Sequence, residues 1–418
     1  MPRPLPRLRN ALDMVPSPVP DRPGLFIRDP YRYSEAVLII PPPLIECLRC
    51  FDGRQTDLDL RSTLVRITGD LQVGELEKHL IETFSVAGFL EDQAFAQMKA
   101  GREREFAEAP KREPAHAGGA YPLEIAALRD TMSRYMDGAA TQPCAIAAAP
   151  LPSRDRQGAL CAIAAPHVSP EGGWQSYRAA YQSLGPELKD RTFVILATSH
   201  YGRPEHFGLT RKPFVTPLGE TATDTALVER LAAAAGPAVL MEDYCHSFEH
   251  TVELQVIFLQ HIYGPDIRIL PILCGQYAHS LYRGGAPEAD EGVQRFLEAL
   301  GEMAAREGDR LFWILGIDMA HMGARYQDDF PAYADRGVMA EVAERDRQRI
   351  ARVVESDGDG FWSLVQENHD DLKWCGSAPL YTFLKTLPGA RGELLRYEQW
   401  NIDPRSVVSF AGMAFSKP

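Results

Sequence analysis

The stretch TFVILATSH, residues 192–200, decides the fold, because ALCAIAAPH at 159–167 and LFWILGIDMAH at 311–321 repeat its form. Each is a short apolar run that ends in a histidine. Such runs are typical of strands buried on both faces, as in parallel sheets covered by helices. Polar residues that follow parallel strands collect at one edge of the sheet, where α/β proteins bind ligands. We therefore expect the three terminal histidines to mark a functional site.

Strand-like and amphipathic helical stretches alternate from residue 159 onward. The predicted strands are residues 160–165, 193–197, 267–273, 311–317 and 407–415. The predicted helices are residues 174–184, 224–235, 251–263, 293–306, 333–354 and 379–387. Alternation at this spacing is typical of βαβ units, so we predict an α/β fold, an α/β/α sandwich.

The composition bounds the class of protein. The 418 residues, 45% of them hydrophobic, suffice for one large α/β domain and a smaller one. The formal net charge of −13 argues against a nucleic-acid partner, since such affinity comes largely from Lys and Arg that neutralise phosphates. We expect a small molecule, a metal ion or a protein as the partner.

The cysteines and the start of the chain indicate a cytoplasmic protein. Seven cysteines, an odd number spread thinly along the chain, do not suggest a disulfide framework and fit a reducing compartment. No apolar leader follows MPRPLPRLRN, and no stretch approaches the ~18 apolar residues of a membrane span. We therefore expect no membrane association.

The N-terminal part is predicted to be a separate module. Residues 94–116 change from periodic apolar patterning to dense mixed charge with Ala and Pro, which is typical of a linker. We therefore divide the chain into a module at 1–95, a linker at 96–113 and a main domain at 114–418.

This module is predicted to be winged-helix-like. Its helices are expected at 44–51, 58–67 and 73–87, with FLED at 89–92 as a short strand. Acidic residues slightly outnumber basic ones before residue 114, so a DNA-reading role lacks its electrostatic basis. The pattern LIECLRCFDGRQT, followed by a helix and LIETFSVAGFLED, resembles the PqqD-like peptide-recognition modules that accompany radical S-adenosylmethionine enzymes.

His167 and His200 are the best-placed candidate metal ligands of the main domain. Each follows its strand after only a small residue or a proline, and each precedes turn-prone residues, as a site built on rigid strand ends requires. The alternative is a histidine satisfied by backbone hydrogen bonds in a loop. Two histidines in matching positions favour metal binding over that alternative.

Cys375 is the candidate sulfur ligand. It lies in KWCGSAPLYTFL, where a helix is predicted to begin near Pro379, and a helix N-terminus lowers the pKa of a thiol and favours the thiolate. A small buried hydrophobic residue is an equally good interpretation of the local sequence. Cys274, which ends the run ILPILC, is a second strand-end thiol, but apolar surroundings would keep it protonated.

Two further sets of polar residues could supply acid–base chemistry. Asp318 and His321 stand three residues apart after the third strand, so the carboxylate could orient the imidazole. His246, His250 and Glu253 have helical spacing and would share one face of a helix. Both sets have alternatives that need no active site, namely hydrogen bonds within a loop and a solvated helix face.

Other motifs give no function. CLRC at 47–50 is a lone CxxC, which is weak evidence for zinc and also suits two core positions of a helix. The sequence has no Walker phosphate loop, GxGxxG turn or GxSxG elbow, so nucleotide-binding and serine-hydrolase functions lack support.

Seven blocks of sequence, in order along residues 112–418, resemble the Memo-like family, in its bacterial form the protein B type of the AmmeMemoRadiSam system. The blocks are REPAHAGGAYP, APHVSPEGG, ATSHYG, EHTVELQVIFLQ, GIDMAHMG, CGSAPLYTFL and SVVSFAGMAF. The resemblance implies an α/β/α fold similar to that of class III extradiol dioxygenases. It also implies association with a radical S-adenosylmethionine enzyme and a small accessory protein.

The resemblance further implies the residues of the site. Matched block by block, the metal ligands are His167, His200 and Cys375. Three other residues line the same cleft: Asp318, His321 and His250. The block after His167 reads VSPEGG where relatives usually carry AGYxYSG, and Ala378 stands where a His-Pro pair is common. These departures leave the three ligands in place but alter the surface that a substrate would meet.

The sequence therefore favours a metal-dependent redox enzyme, dioxygenase-like, that uses Fe(II) or copper, with zinc as a further option. A thiolate in place of the usual carboxylate favours Cu(I), Zn or Fe over Mg or Ca. His321, oriented by Asp318, would exchange protons with a peptide or small-molecule substrate, and His250 would hydrogen-bond bound oxygen or a substrate oxyanion. The competing hypothesis is a non-catalytic accessory protein that binds a peptide or metal cargo for a partner enzyme.

Overall fold

The computed structural model describes residues 2–137 and 158–417, and the chain divides into two units, Met1–Glu108 and Ala109–Pro418. Cys144 lies outside the described residues. Among the described helices, none combines the length and the apolar character that crossing a bilayer requires.

The first unit combines a small sheet with helices. Its antiparallel strands, in spatial order, are β1 (Asp13–Pro16), β2 (Leu25–Arg28) and β3 (Val37–Ile40). A 3-10 helix (Pro42–Cys50) follows, and then α1 (Asp57–Thr68), α2 (Gly74–Val86) and α3 (Gln93–Glu108). Helix α1 begins at a capping box, in which Asp59 accepts from the backbone N–H of Thr56 at 2.7 Å. It ends at Gly69, whose φ of 72° is typical of a glycine C-cap.

This unit differs from the winged helix that we expected. In residues 2–108 the strands precede the helices, and Leu90 of the expected wing forms one isolated bridge, with Leu8. Most of the expected linker, 96–113, is helical in α3, where Phe106 is buried. Strands of four residues are too short to show an apolar period, which explains why the sequence did not reveal them. Cys47 and Cys50 lie in the core of this unit, as the core interpretation of CLRC requires.

The second unit is built on a large mixed sheet. Its strands are β4 (Leu160–Ala165), β5 (Thr192–Thr198), β6 (Phe207–Leu209), β7 (Phe214–Thr216), β8 (Gly219–Thr223), β9 (Val239–Met241), β10 (Arg268–Cys274), β11 (Leu311–Gly316), β12 (His321–Gly323), β13 (Arg391–Asp403) and β14 (Ser406–Ser416). Its helices are α4 (Ile125–Asp137), α5 (Pro170–Tyr181), α6 (Thr225–Ala235), α7 (His250–Tyr263), α8 (Ala278–Arg283), α9 (Glu291–Glu307), α10 (Val338–Val354), α11 (Gly358–Gln366) and α12 (Ser377–Thr386).

The central strands of this sheet are parallel. The spatial order is β12-β14-β4-β11-β5-β10-β6-β9, with β13 beside β14, and β4, β11, β5 and β10 all run in one direction. Every residue of β5 is buried, and since successive side chains point to opposite faces, both faces of this strand are covered. Helices α7 and α12 pack against it. The predicted α/β fold is confirmed, and its five predicted strands lie within one residue of the observed bounds.

Some elements differ from the prediction. The helix expected at 174–184 already begins at Pro170, because proline suits the first turn, and the helix expected at 333–354 begins only at Val338. The sequence also missed α4, α11 and β13. Strand β13, RGELLRYEQWNID, is rich in charge and half-buried along most of its length, so it lacks the apolar run that revealed the central strands.

Candidate metal centre

Three histidines converge at the carboxyl ends of the parallel strands. His167 follows β4, His200 follows β5, and His250 is the first residue of α7. Their ring centroids are 5.0 Å apart for His167 and His200, 5.3 Å for His167 and His250, and 5.1 Å for His200 and His250. One nitrogen from each ring lies within 4.8 Å of the others, which is close enough for a single ion to contact all three.

Cys375 brings a thiol to the same cluster. Its Sγ lies 3.2 Å from Nε2 of His167, and its carbonyl accepts from the Thr198 hydroxyl at 2.9 Å. The next residue, Gly376, allows this approach because a Cβ there would lie 2.7 Å from the carbonyl oxygen of Asp318 and 2.7 Å from Cβ of Ile317. The two histidines and the cysteine that the sequence singled out therefore lie together, and their role as ligands stays a prediction.

Hydrogen bonds fix the tautomer of each histidine. Nδ1 of His167 lies 3.0 Å from the carbonyl oxygen of Gly316. Nδ1 of His200 and Nδ1 of His250 lie 3.0 Å and 3.1 Å from Oε1 of Glu249. Since carbonyl and carboxylate oxygens accept hydrogen bonds, each Nδ1 carries a proton, and Nε2 is the nitrogen of each ring that can offer a lone pair. Histidines that bind metals are usually oriented in this way.

The charges of the cluster depend on Glu249 and Cys375. Burial lowers the pKa of His200, but Glu249 and Cys375 outweigh it and raise that pKa well above its ordinary value. Burial also raises the pKa of Cys375, and His200 opposes this only in part. The pKa of Cys375 is therefore raised, whereas we expected the helix N-terminus to lower it. A cation at Nε2 of His200 would take the place of the proton there.

Asp318 organises the loop that carries His167. Its Oδ1 accepts from the backbone N–H groups of His167 and Val168 at 2.9 Å and 3.2 Å, and burial raises the pKa of Asp318 to about 6. Our expectation that Asp318 orients His321 was wrong. Nδ1 of His321 lies instead 2.8 Å and 3.1 Å from the carbonyl oxygens of Met319 and Lys373.

His321 packs beside Tyr326, at a ring-centroid distance of 4.9 Å, and is near enough to His200 for that histidine to lower its pKa further. Burial lowers the pKa of His321 to about 4, so the ring is neutral at pH 7. With Nδ1 bonded to carbonyls, its Nε2 can accept a proton. His250 in its neutral form likewise presents an acceptor rather than a donor, which changes the role that we expected for it.

His246 and Glu253 do not form an acid–base face with His250. Nε2 of His246 lies 3.0 Å from the carbonyl oxygen of Gly208, and Glu253 forms a buried ion pair with Arg112. Cys274 is 1% exposed, and burial raises its pKa to about 12. Its thiol therefore stays protonated at pH 7, as the apolar surroundings predicted.

The sequence analysis gave no role to His116, although its block was noted. Its ring lies 5.5 Å from that of His250, and its Nε2 lies 2.7 Å from the carbonyl oxygen of Phe248. Arg112 of the same block donates to the carbonyls of His246 and Glu249 at 2.9 Å and 2.8 Å. The one available signal was that REPAH contains three residues able to carry charge shortly before a glycine pair.

The fold and this cluster define an α/β protein with a candidate transition-metal site at the carboxyl edge of its parallel strands. The family model described as "Memo-like protein" matches residues 112–414. The chain belongs to the Memo-like family, as the sequence predicted.

Curated relatives agree with this assignment. A MEMO1 family protein of Aquifex aeolicus is 23% identical over 93% of this chain and 95% of its own length. Another, from Methanosarcina barkeri, is 27% identical over 72% of this chain and 98% of its own length. Among solved structures, an uncharacterised protein of Escherichia coli K12, JW3007, aligns with 61% of this chain and 99% of its own, at 11% identity and a TM-score of 0.37.

Proposed function

We propose that the chain is a metal-dependent redox enzyme that holds one iron or copper ion through His167, His200 and Cys375. The convergence of imidazole nitrogens and one thiol at a single strand edge supports this proposal most directly. The donors fit such an ion, because imidazole and thiolate favour Fe, Cu and Zn over Mg and Ca. The fixed Nδ1 protons fit as well, since they make Nε2 the nitrogen through which each of these two rings can bind an ion.

Bound iron or copper would supply Lewis acidity and electron exchange with oxygen or a substrate. The residues of the chain would then bind the substrate and move protons. His321, neutral at pH 7, accepts a proton at Nε2 from a substrate hydroxyl, and its ring is held by the carbonyls of Met319 and Lys373. Asp318 keeps the His167 loop in place through two backbone hydrogen bonds.

The proposed chemistry is similar to that of class III extradiol dioxygenases, so catechols and peptides are the first substrates to test. Oxygen consumption should be measured with iron-loaded and copper-loaded protein. We expect turnover in the wild type and its loss in Cys375→Ser, whereas Cys274→Ser, a change at a buried thiol outside the cluster, keeps it. Equal turnover in the wild type and Cys375→Ser would contradict the proposal.

We also propose that the first unit docks a peptide or protein in a cytoplasmic system with a radical S-adenosylmethionine enzyme and a small accessory protein. This unit has its own core and lies outside the residues that the family model matches. The Aquifex relative aligns over 93% of this chain, so its match extends into this unit.

That role suggests a second candidate function, an accessory protein without catalysis. Titration of the anaerobically purified chain with a candidate peptide separates the two candidates. An enzyme contains metal and turns over a substrate. Metal-free protein that binds the peptide through residues 1–108 would favour the accessory function.

A further inference from the structure

We propose that Glu249 is the positioning residue of the metal centre, because one carboxylate fixes both His200 and His250. This inference rests on the proposed metal binding and deepens it. Glu249 is 2% exposed and belongs to the same short segment as His250, just before α7.

Both carboxylate oxygens of Glu249 take part. Oε1 lies 3.0 Å from Nδ1 of His200 and 3.1 Å from Nδ1 of His250, and it accepts from the backbone N–H of His250 at 3.1 Å. Oε2 accepts from the backbone N–H of His200 at 2.9 Å. The carboxylate thus holds the main chain and the ring of both histidines.

The rings of His200 and His250, which share Glu249 as a partner, are stacked. Those of His200 and His250 are nearly parallel, with an interplanar angle of 10°, and the ring of His167 stands at 82° to that of His200. With Nδ1 of both stacked rings bonded to one carboxylate, both Nε2 atoms face away from Glu249. One carboxylate therefore orients the proposed ligand His200 and the neighbouring His250 together.

The main chain of Glu249 is itself anchored. Its N–H donates to the carbonyl of Cys245 at 2.9 Å, and its carbonyl accepts from Arg112 at 2.8 Å. Arg112 is also buried and pairs with Glu253. The carboxylate is thus fixed by the fold before it orients the rings, as precise metal sites require.

A competing explanation is that Glu249 only caps α7. Its side chain does accept from His250 N, as a capping residue would. Capping requires one acceptor oxygen near the helix end and makes no demand on the Nδ1 atom of His200, which belongs to a different loop. The two explanations therefore differ in what they predict for the imidazoles.

The test uses the full chain with Co(II) as the probe. In Glu249→Gln an NH2 group replaces one of the two oxygens, so either both rings lose their acceptor at Oε1 or the backbone N–H of His200 loses its acceptor at Oε2. We expect a 10- to 100-fold loss of Co(II) affinity and a changed visible absorption spectrum of the bound Co(II). Where the amide nitrogen takes the position of Oε1, imidazole ¹⁵N shifts of the metal-free protein should show that His200 and His250 have lost the proton at Nδ1.

Two variants complete the experiment. Glu307→Gln changes another buried carboxylate, held by Arg230 and Arg310 next to the start of β11, and should keep the affinity within about twofold. Glu249→Asp retains a residue that caps helices well but is one methylene shorter, so it should keep thermal stability and still lose affinity.

If both Glu249 variants keep the wild-type Co(II) affinity, absorption spectrum and imidazole tautomers, the role given to Glu249 is wrong. The proposed metal centre would not be affected by that result. Wild-type protein that binds no Co(II) would overturn the proposed metal centre and this inference with it.

Discussion

At the residue scale, partners distant in sequence decide what each histidine can do. The sequence placed His167 and His200 correctly at strand ends, because the apolar runs stop there. It could not show that Glu249 holds His200, since 49 positions separate the two residues. The sequence also could not show the partners of His321, because these are backbone carbonyls, which every residue type has.

His246 gives a prediction for pH dependence. It is 1% exposed, and burial lowers its pKa to about 4. The unfolded chain protonates this histidine below about pH 6.5, so between about pH 6.5 and 4 the unfolded state binds more protons and stability falls as the pH decreases. We expect this residue to contribute a loss of up to about 3 kcal/mol.

Urea unfolding of the wild type and His246→Gln between pH 4 and 7 measures this contribution. The variant should lack that part of the pH slope. Parallel slopes in the two proteins would show that His246 does not carry it.

Asp346 gives a prediction for stability. It is fully buried and accepts from Nε1 of Trp374 at 2.7 Å, the hydroxyl of Tyr397 at 2.7 Å and the hydroxyl of Ser409 at 2.6 Å. Asp346→Ala leaves three buried donors without an acceptor, so we expect a loss of about 3 kcal/mol or more in the free energy of unfolding.

The matched control is Asp359→Ala, which removes a carboxylate whose side chain is 80% exposed. Denaturant unfolding should place this control within about 0.5 kcal/mol of the wild type. Similar losses in both variants would contradict the role given to Asp346.

At the scale of elements, α7 shows where sequence periodicity misled us. The spacing of His246 and His250 predicted one helical face, but residues Tyr244–Ser247 form a separate 3-10 turn. Glu249 is extended, with φ −70° and ψ 134°, and α7 begins only after it. The break was not visible in the sequence because the partners that satisfy it, such as Arg112, come from a remote segment.

That segment is tied to α7 by the buried pair of Arg112 and Glu253. Arg112→Met leaves the buried charge of Glu253 without its cationic partner, so we expect a loss of about 3–5 kcal/mol in stability. The double variant Arg112→Met with Glu253→Gln should recover part of this loss, because no unpaired charge remains. Thermal or urea unfolding measures the cycle, and strictly additive losses would contradict the account.

At the scale of the whole molecule, the central parallel strands could be predicted because they are continuous apolar runs. The sheet of the first unit and strand β13 could not, since short or charged strands carry no such signal. The sequence predicted the division into two units. The boundary, however, lies at Glu108, at the end of α3, because the dense mixed charge of this helix resembles that of a linker.

The cluster residues all belong to the unit Ala109–Pro418, which has its own core. Deletion of residues 1–108 should therefore leave the metal content per chain unchanged.

A longer deletion, 1–122, also removes Arg112 and should destabilise the protein, because Glu253 loses its partner. Elemental analysis of both truncated chains measures their metal content, and thermal unfolding measures their stability. A folded 109–418 chain that binds no metal, beside a full chain that does, would contradict it.

X-ray absorption of the metal-loaded full chain tests the central claim most directly. The account predicts a first shell with one sulfur at about 2.3 Å and imidazole nitrogens at about 2.0–2.1 Å, and loss of the sulfur in Cys375→Ser. A first shell without sulfur in the wild type would contradict it.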